Sequence, residues 1–209
     1  MWLNRVPYLL LASASPRRVE ILQQIQVPAQ QVMVPSPPGD DEPRKDNESV
    51  RDYVVRTADD KLARAREYTA QPQSPQGFQG LHEIPILTAD TTVALEQTIL
   101  GKPVDETDAL EMLSMLSGKT HDVYTAVSLH HEQQTYRALS HSLVTFDTLG
   151  ADQMARYVAT QEPFGKAGAY AIQGLGAQFI KQLNGSFSAV MGLPIYETSQ
   201  LLRNAKLIA

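Results

Sequence analysis

The chain has 209 residues, of which 43% are hydrophobic and 20% charged, and its formal net charge is −5. This size predicts one large or two small globular domains, and the acidic balance argues against a general nucleic-acid binder, which needs a broad basic face. The lack of cysteine excludes disulfides, zinc ribbons, thiol nucleophiles and iron–sulfur clusters, and no apolar run reaches the ~20 residues of a membrane span.

The first predicted elements are a short buried strand and a helix that begins with two arginines. Residues 8–12 form an apolar run, and Ser15 followed by Pro16 is a helix-start signal with a hydroxyl N-cap. The first helical turn has free N–H groups and a partial positive charge, so two arginines there lower the stability of the helix. Arg17 and Arg18 at this position therefore suggest a functional role. The segment therefore predicts a site for a multiply charged anion such as a phosphate chain. Two solvated surface arginines are the simpler alternative.

The same segment loosely resembles a secretory signal. Arg5 precedes an apolar stretch over 6–14, with small residues at Ala12 and Ala14. Pro7 interrupts that stretch, and cleavage after it would remove the strand that precedes the arginines. We therefore expect the segment to be structural and the protein to be cytoplasmic.

The rest of the chain alternates helices and strands. In the first half, the patterns predict a loop (32–46), a long helix (47–68), an exposed loop (70–82) and a strand (84–95) interrupted at 88–92. A helix (105–116) closed by Gly118 and a hairpin (122–130 and 135–146) follow. The chain then has a helix (151–160), a glycine-rich stretch (165–185) with a strand from 178 to 183, and a closing helix (194–204). This alternation with one central hairpin indicates an α/β fold with a mixed sheet.

Asp90 is the candidate for acid–base chemistry. It lies between the apolar runs 84–87 and 93–95, so we expect it near a core strand. A buried carboxylate is costly unless it is paired or binds a cation. Asp90 is therefore either a structural group bonded to Thr91, Thr92 or backbone amides, or a general base or ligand of a hard divalent cation.

Several cations and one amide could complete such a site. Lys102 follows a glycine and precedes a proline, Lys61 lies at the edge of the apolar face of the long helix, and Lys166 and Gln173 stand in the glycine-rich stretch. Each has a structural alternative: a turn lysine, a lysine that extends to solvent, or a glycine-rich connection without function. The five histidines lack metal-ligand spacing, and no G-x-S-x-G or Walker A motif occurs.

Three ordered motifs resemble the signatures of the Maf family of nucleoside triphosphate pyrophosphatases. These are LASASPRR at 11–18, ADT at 89–91 with LGKP at 100–103, and KAGAY at 166–170 with QGLG at 173–176 and GLP at 192–194. The resemblance covers nearly the whole chain. It implies a single domain over residues 1–209, built as a mixed twisted α/β sheet flanked by helices with two lobes around a central cleft. It also implies a homodimer, and composition adds that neither nucleic acid nor membrane is a partner.

The resemblance further implies hydrolysis of a nucleoside triphosphate to the monophosphate and pyrophosphate with a divalent metal, Mg²⁺ or Mn²⁺. Carried onto matching positions, Asp90 is the proton acceptor, and Glu42, in a loosely matching loop, is a metal ligand together with Asp90. The residues implied to bind phosphate are Ser13, Arg17, Arg18, Lys61, Lys102 and Lys166. Those implied to select the substrate are Arg17, Thr91 and Gln173.

The family divides by substrate, and two positions bear on the division. The branch that hydrolyses 7-methyl-GTP tends to carry Trp at the position of Arg17 and Glu at that of Gln173. An uncharged amide at Gln173 instead matches the N3–H and O4 edge of uracil or thymine. The resemblance therefore implies the dTTP/UTP branch, with CTP and modified pyrimidine nucleotides as further candidates. One departure is Gly165, where the family usually has Asp.

Two other functions stay open at this point. One is a nucleotide-binding regulator of cell division or septum formation with little turnover. The other is a phosphoryl-transfer enzyme such as a kinase, against which the lack of a Walker A or kinase loop counts.

Overall fold

The computed structural model describes residues 8–35, 42–71 and 84–209. Most of the loop predicted at 70–82, part of the loop at 32–46, and the start of the signal-like segment lie outside the described residues. The strands are β1 (Leu9–Ala12), β2 (Ala29–Val32), β3 (Ile86–Leu95), β4 (Thr98–Leu100), β5 (Thr120–His131), β6 (Gln134–Phe146) and β7 (Ile180–Asn184). The α-helices are α1 (Pro16–Gln24), α2 (Val50–Ala70), α3 (Glu106–Leu116), α4 (Ala151–Ala159), α5 (Phe187–Met191) and α6 (Ile195–Asn204). Short 3₁₀ turns cover Ala167–Ala169 and Leu175–Phe179.

The strands form one mixed seven-stranded sheet in the order β2-β1-β3-β5-β6-β7, with β4 paired to β3. Strand β1 runs parallel to β2 and β3, whereas the pairs β3–β4, β3–β5, β5–β6 and β6–β7 are antiparallel. The predicted α/β class with a mixed sheet is confirmed. The hairpin is also confirmed, with a turn shorter than the sequence suggests.

Strand β3 corrects the prediction of an interrupted strand. It is continuous through Thr88–Thr92, and Asp90 and Thr91 pair in register with Ala126 and Thr125 of β5. Its polar side chains find internal partners: the Thr88 hydroxyl donates to the Ala58 carbonyl over 2.9 Å, and the Thr91 and Thr125 hydroxyls lie 3.0 Å apart. Buried polar groups with partners do not break a strand.

The other differences concern short or polar elements. The sequence reading assigned no element to β2, β4 or α5. Strand β7 begins at Ile180, two residues later than predicted, because a 3₁₀ turn occupies Leu175–Phe179. Helix α2 begins at Val50, three residues later than predicted, because the Ser49 side chain caps it by accepting from the Asp52 amide.

Two core clusters leave the cleft between them. One packs α1 and α6 against β1, β3 and β5, and the other packs α3 and α4 against the far part of the sheet. Met191, at the end of α5, contacts both clusters. Helix α2 covers the opposite face of β3 and β5 and buries Val54, Ala58 and Leu62, which places Lys61 at the edge of the buried face. Among the described residues, no helix combines the length and apolarity that a bilayer crossing requires.

Candidate active site

A cleft of about 550 Å³ opens between the end of β1, the start of α1, the middle of β3 and the 165–173 segment. Every residue that the sequence singled out for the site lines it. They are Ser13, Arg17, Arg18, Glu42, Lys61, Asp90, Thr91, Lys102, Lys166 and Gln173. The topology therefore brings together groups from six separate parts of the chain, at 13–18, 42, 61, 90–91, 102 and 166–173.

Asp90 is a buried, ion-paired carboxylate at the centre of β3. Its Oδ1 accepts from Lys61 Nζ at 2.6 Å and its Oδ2 from the Thr92 hydroxyl at 3.1 Å, and the residue is only 7% exposed. Burial alone raises the pKa of Asp90, but the charge and hydrogen bond of Lys61 and the charge of Arg18 hold its pKa below the ordinary value. Asp90 is therefore ionised at neutral pH and able to accept a proton.

Glu42 pairs with the same lysine. Lys61 Nζ lies 2.5 Å from Glu42 Oε1 as well as 2.6 Å from Asp90 Oδ1, so two carboxylates of the cleft share one ammonium group. Arg64, one helical turn beyond Lys61 on α2, lies 4.0 Å from Glu42 Oε1 and also lines the cleft. The sequence reading missed Arg64, although its i+3 spacing from Lys61 places both on one helix face.

These carboxylates fit a divalent cation that shares its coordination with the substrate. Within residues 8–35, 42–71 and 84–209, no group of three or more His, Cys, Asp or Glu side chains could enclose a metal. Mg²⁺ is commonly held by one or two carboxylates, water and substrate phosphates rather than by a protein cage. Glu42 and Asp90 supply that kind of partial set.

Arg18 ties three parts of the cleft wall together. Its Nε donates to the Gly192 carbonyl at 2.8 Å, Nη1 to the Ser13 hydroxyl at 3.0 Å, and Nη2 to the Thr91 hydroxyl at 3.4 Å. Burial lowers the pKa of Arg18, but an arginine remains protonated in a protein. Its positive charge is therefore fixed beside Asp90.

The first turn of α1 differs from the prediction in one detail. Ser15 occupies the N-cap position, yet within the described residues its side chain makes no capping hydrogen bond. The Ser15 amide donates instead to the Ser13 hydroxyl at 3.2 Å. Because the Ser15 hydroxyl does not satisfy the amides of the first turn, this helix start keeps its capacity for an anion.

The cleft lining also carries two neighbouring cations and an exposed amide. Arg17 Nε is buried and has no hydrogen-bond partner among the described residues, while Lys166 Nζ donates to the Phe164 carbonyl at 3.1 Å. Burial and the charge of Arg17 both lower the pKa of Lys166. Gln173 lines the same cleft and is exposed. Two cations held together in this way favour binding of an anion.

The segment with Lys102 is joined to the glycine-rich segment. The Gly168 amide donates to the Gly101 carbonyl at 3.0 Å. Gly168 has φ +69°, and a Cβ there would lie 2.8 Å from Val93 Cγ1. Only glycine fits this approach to β3 without strain, so the glycine-rich stretch packs directly against the strand that carries Asp90.

The chain is similar to known proteins over nearly its whole length. Residues 8–205 match the family described as Maf-like protein. A protein of Bordetella avium named dTTP/UTP pyrophosphatase is 47% identical over 203 residues, which cover 97% of this chain and 98% of that protein. Proteins with the same name from Polaromonas sp. and Burkholderia pseudomallei are 45% and 44% identical, and the alignments cover 96% and 95% of this chain and 96% and 94% of those proteins.

Proposed function

The chain belongs to the Maf family, and on that premise we propose that it is a pyrophosphatase that hydrolyses dTTP and UTP to the monophosphate and pyrophosphate. Relatives at 44–48% identity over nearly the whole chain carry the name dTTP/UTP pyrophosphatase. The observation that carries the proposal is an ionised, buried Asp90 in a cleft surrounded by Arg17, Arg18, Lys61 and Lys102. A multiply charged chain such as a triphosphate matches these cations.

The reaction follows from the position of Asp90. In our proposal, a water oxygen attacks the α-phosphorus, the bridging α–β P–O bond breaks, and pyrophosphate leaves with that oxygen while the water proton passes to Asp90. A positioned general base contributes roughly 10²–10⁴-fold in rate. The arginines and lysines of the cleft offset the negative charge that develops on the leaving pyrophosphate.

A divalent cation, Mg²⁺ or Mn²⁺, is part of this proposal. We propose Glu42 and Asp90 as its protein ligands, because both carboxylates line the cleft and lie close enough together to pair with the same lysine. Such a cation would polarise phosphate oxygens as a Lewis acid. Lys61 keeps the two carboxylates together by pairing with both.

We assign substrate choice to Gln173, Arg17 and Thr91. The Gln173 amide offers one donor group and one acceptor, which suit the N3–H and O4 edge of thymine or uracil. Arg17 lines the same cleft. Thr91 already bonds the Thr125 hydroxyl and Arg18, so we propose that it acts through the shape of the wall rather than through a free hydroxyl.

The test is a product assay over a panel of canonical and methylated nucleoside triphosphates with Mg²⁺ or Mn²⁺. We expect pyrophosphate release from dTTP and UTP, and a lower preference for these two nucleotides in Gln173→Glu. Tight binding without turnover of any nucleotide would favour the division regulator instead. Release of single phosphate would favour phosphoryl transfer, and unchanged ratios in the variant would refute the role of Gln173.

The assembly is proposed from the family resemblance, the location from the interpretation of the signal-like segment as structural, and the exclusion of nucleic acid and membrane from the composition. We propose a cytoplasmic homodimer whose partners are nucleotides rather than nucleic acid or membrane. Light scattering after size-exclusion chromatography tests the assembly, with twice the chain mass of 23.1 kDa expected.

A further inference from the structure

The segment that carries Gln173 is a turn whose backbone amides are bonded by one carboxylate, that of Glu162. The Gly174 amide donates to the Ala171 carbonyl at 3.2 Å, which closes a turn with Gln173 inside it. On the far side, Glu162 Oε2 accepts from the Leu175 amide and Glu162 Oε1 from the Gly176 amide, each at 2.9 Å. Glu162 lies beyond α4 and was not singled out by the sequence.

Tyr157 of α4 extends this hold to the near side of the turn. Its hydroxyl donates to Glu162 Oε1 at 2.8 Å and accepts from the Ala171 amide at 3.3 Å. The Tyr157 ring is 3% exposed and packs edge-on against Phe179, with centroids 4.9 Å apart. Tyr157 and Glu162 therefore bond both ends of the segment 171–176, and Tyr157 is itself fixed in the core.

Two glycines of the turn leave room for this pair. A Cβ on Gly174 would overlap the Glu162 carboxylate, and a Cβ on Gly176 would lie 2.8 Å from the Tyr157 hydroxyl oxygen. Gly174 has φ −115°, which any residue adopts. The reason for glycine at 174 is thus the space that Glu162 occupies rather than the backbone conformation.

Charge also links Glu162 to the cleft. Burial raises the pKa of Glu162, but the amides of Leu175 and Gly176 and the Tyr157 hydroxyl hold its pKa below the ordinary value, so it is ionised. Its negative charge acts on Arg17 and Lys166, which both line the cleft. Glu162 therefore lies behind the wall that presents both Gln173 and these cations.

From these contacts we propose that Glu162 is a positioning residue for base recognition: with Tyr157 it holds residues 171–176 so that the Gln173 amide faces the edge of the pyrimidine. The inference rests on the proposed function. It separates Glu162 from Arg18, Lys61 and Asp90, which are held by other contacts.

The experiment measures base recognition and phosphate binding separately. We would measure kcat/KM for dTTP, UTP, CTP and dGTP, and inhibition by inorganic tripolyphosphate, which has phosphates and no base. Glu162→Gln replaces one carboxylate oxygen by an NH₂ group that opposes a backbone N–H. We expect roughly tenfold loss of preference for dTTP and UTP, the scale of one charge-assisted hydrogen bond. Tripolyphosphate inhibition should not weaken, because the variant removes a negative charge near the cleft cations Arg17 and Lys166.

Two further variants keep the test sharp if Glu162→Gln folds poorly. Tyr157→Phe keeps the ring and removes the hydroxyl, and should move the preference in the same direction. Gly174→Ala should do so as well, but should add little in a Glu162→Ala background, where the overlapping carboxylate is gone. The control is Glu111→Gln, an exposed carboxylate of α3 outside the cleft, which should match wild type.

The outcomes separate this inference from the proposed function. It is overturned if Gln173→Ala changes the preference while Glu162→Gln and Tyr157→Phe do not, or if tripolyphosphate inhibition weakens as much as dTTP turnover. A wild-type protein that hydrolyses no nucleotide would refute the proposed function, and this inference with it. A loss of preference shared by Gln173→Ala, Glu162→Gln and Gly174→Ala supports both.

Discussion

Replacing Asp90 with Asn isolates the role of its charge, because the two side chains have nearly the same shape. The amide cannot accept the proton of an attacking water, so kcat should fall by roughly 10²–10⁴-fold, equivalent to about 3–5 kcal/mol in activation free energy. The amide oxygen still accepts from Lys61, and Lys61 retains Glu42 at 2.5 Å. Substrate binding should therefore change much less than turnover.

The stability of this variant decides how its activity is interpreted. Breaking a fully buried ion pair typically costs about 3–5 kcal/mol, but the Lys61 side chain is 26% exposed and retains a second carboxylate. We expect a loss of about 1–2 kcal/mol in unfolding free energy, which leaves the protein folded. Urea denaturation measures this directly.

The matched control for Asp90→Asn is Asp59→Asn on α2. Asp59 also pairs with a hydroxyl and a cation, Ser128 at 2.7 Å and Arg137 at 2.8 Å, but lies outside the cleft lining. The assay is pyrophosphate release from dTTP at saturating nucleotide and metal. The base assignment fails if Asp90→Asn retains more than about a tenth of the wild-type rate, or if Asp59→Asn loses as much.

Three other predictions concern the cleft wall, the metal and pH. Arg18→Lys removes the planar group that bonds Gly192, Ser13 and Thr91 at once. We therefore expect kcat/KM for dTTP to drop at least about tenfold. A smaller drop would show that the positive charge of residue 18, without its three bonds, is enough for activity. Chelation with EDTA should abolish turnover and leave the melting temperature of the nucleotide-free protein almost unchanged, since Lys61 already pairs both carboxylates; full activity after chelation would refute the metal. His121 is 1% exposed, and burial lowers its pKa from 6.5 to about 4. The unfolded chain therefore binds a proton in that window while the folded chain does not, so the unfolding free energy should fall by about 3 kcal/mol as pH drops through it. His121→Gln should remove this loss in urea titrations, and an unaltered pH dependence would contradict the assignment.

Strong local patterns made most of the fold predictable from the sequence. Helix α1 begins at Pro16 as the Ser15-Pro16 pair indicates, and α3 begins after Asp105 and ends near Gly118, where φ is +69°. Strand β2, with Gln30 and Gln31 at its centre, has no alternating apolar pattern and forms because it pairs with the buried β1. Pairing of this kind is a tertiary effect that no local window contains.

The site divides in the same way. The positions of Asp90, Arg17 and Gln173 followed from motifs, and the structure brings these residues to one cleft. Glu162 carries no such signal, because its role depends on amides that only the folded turn presents. The sequence predicted an interruption at 88–92 because the polar side chains there have no partners nearby in the chain. Their partners, among them Ala58 and Lys61, lie on a helix distant in sequence.

The bond between Arg18 and the Gly192 carbonyl spans 174 positions of the chain. During synthesis, the arginine of the first helix leaves the ribosome long before the carbonyl that holds it has been made. Until then the Nε of Arg18 lacks its partner, although Ser13 and Thr91, which accept from the other two nitrogens, are already present. A chain that stops short of α5 lacks the Gly192 carbonyl, and with it one of the three hydrogen bonds that fix Arg18 in the cleft wall.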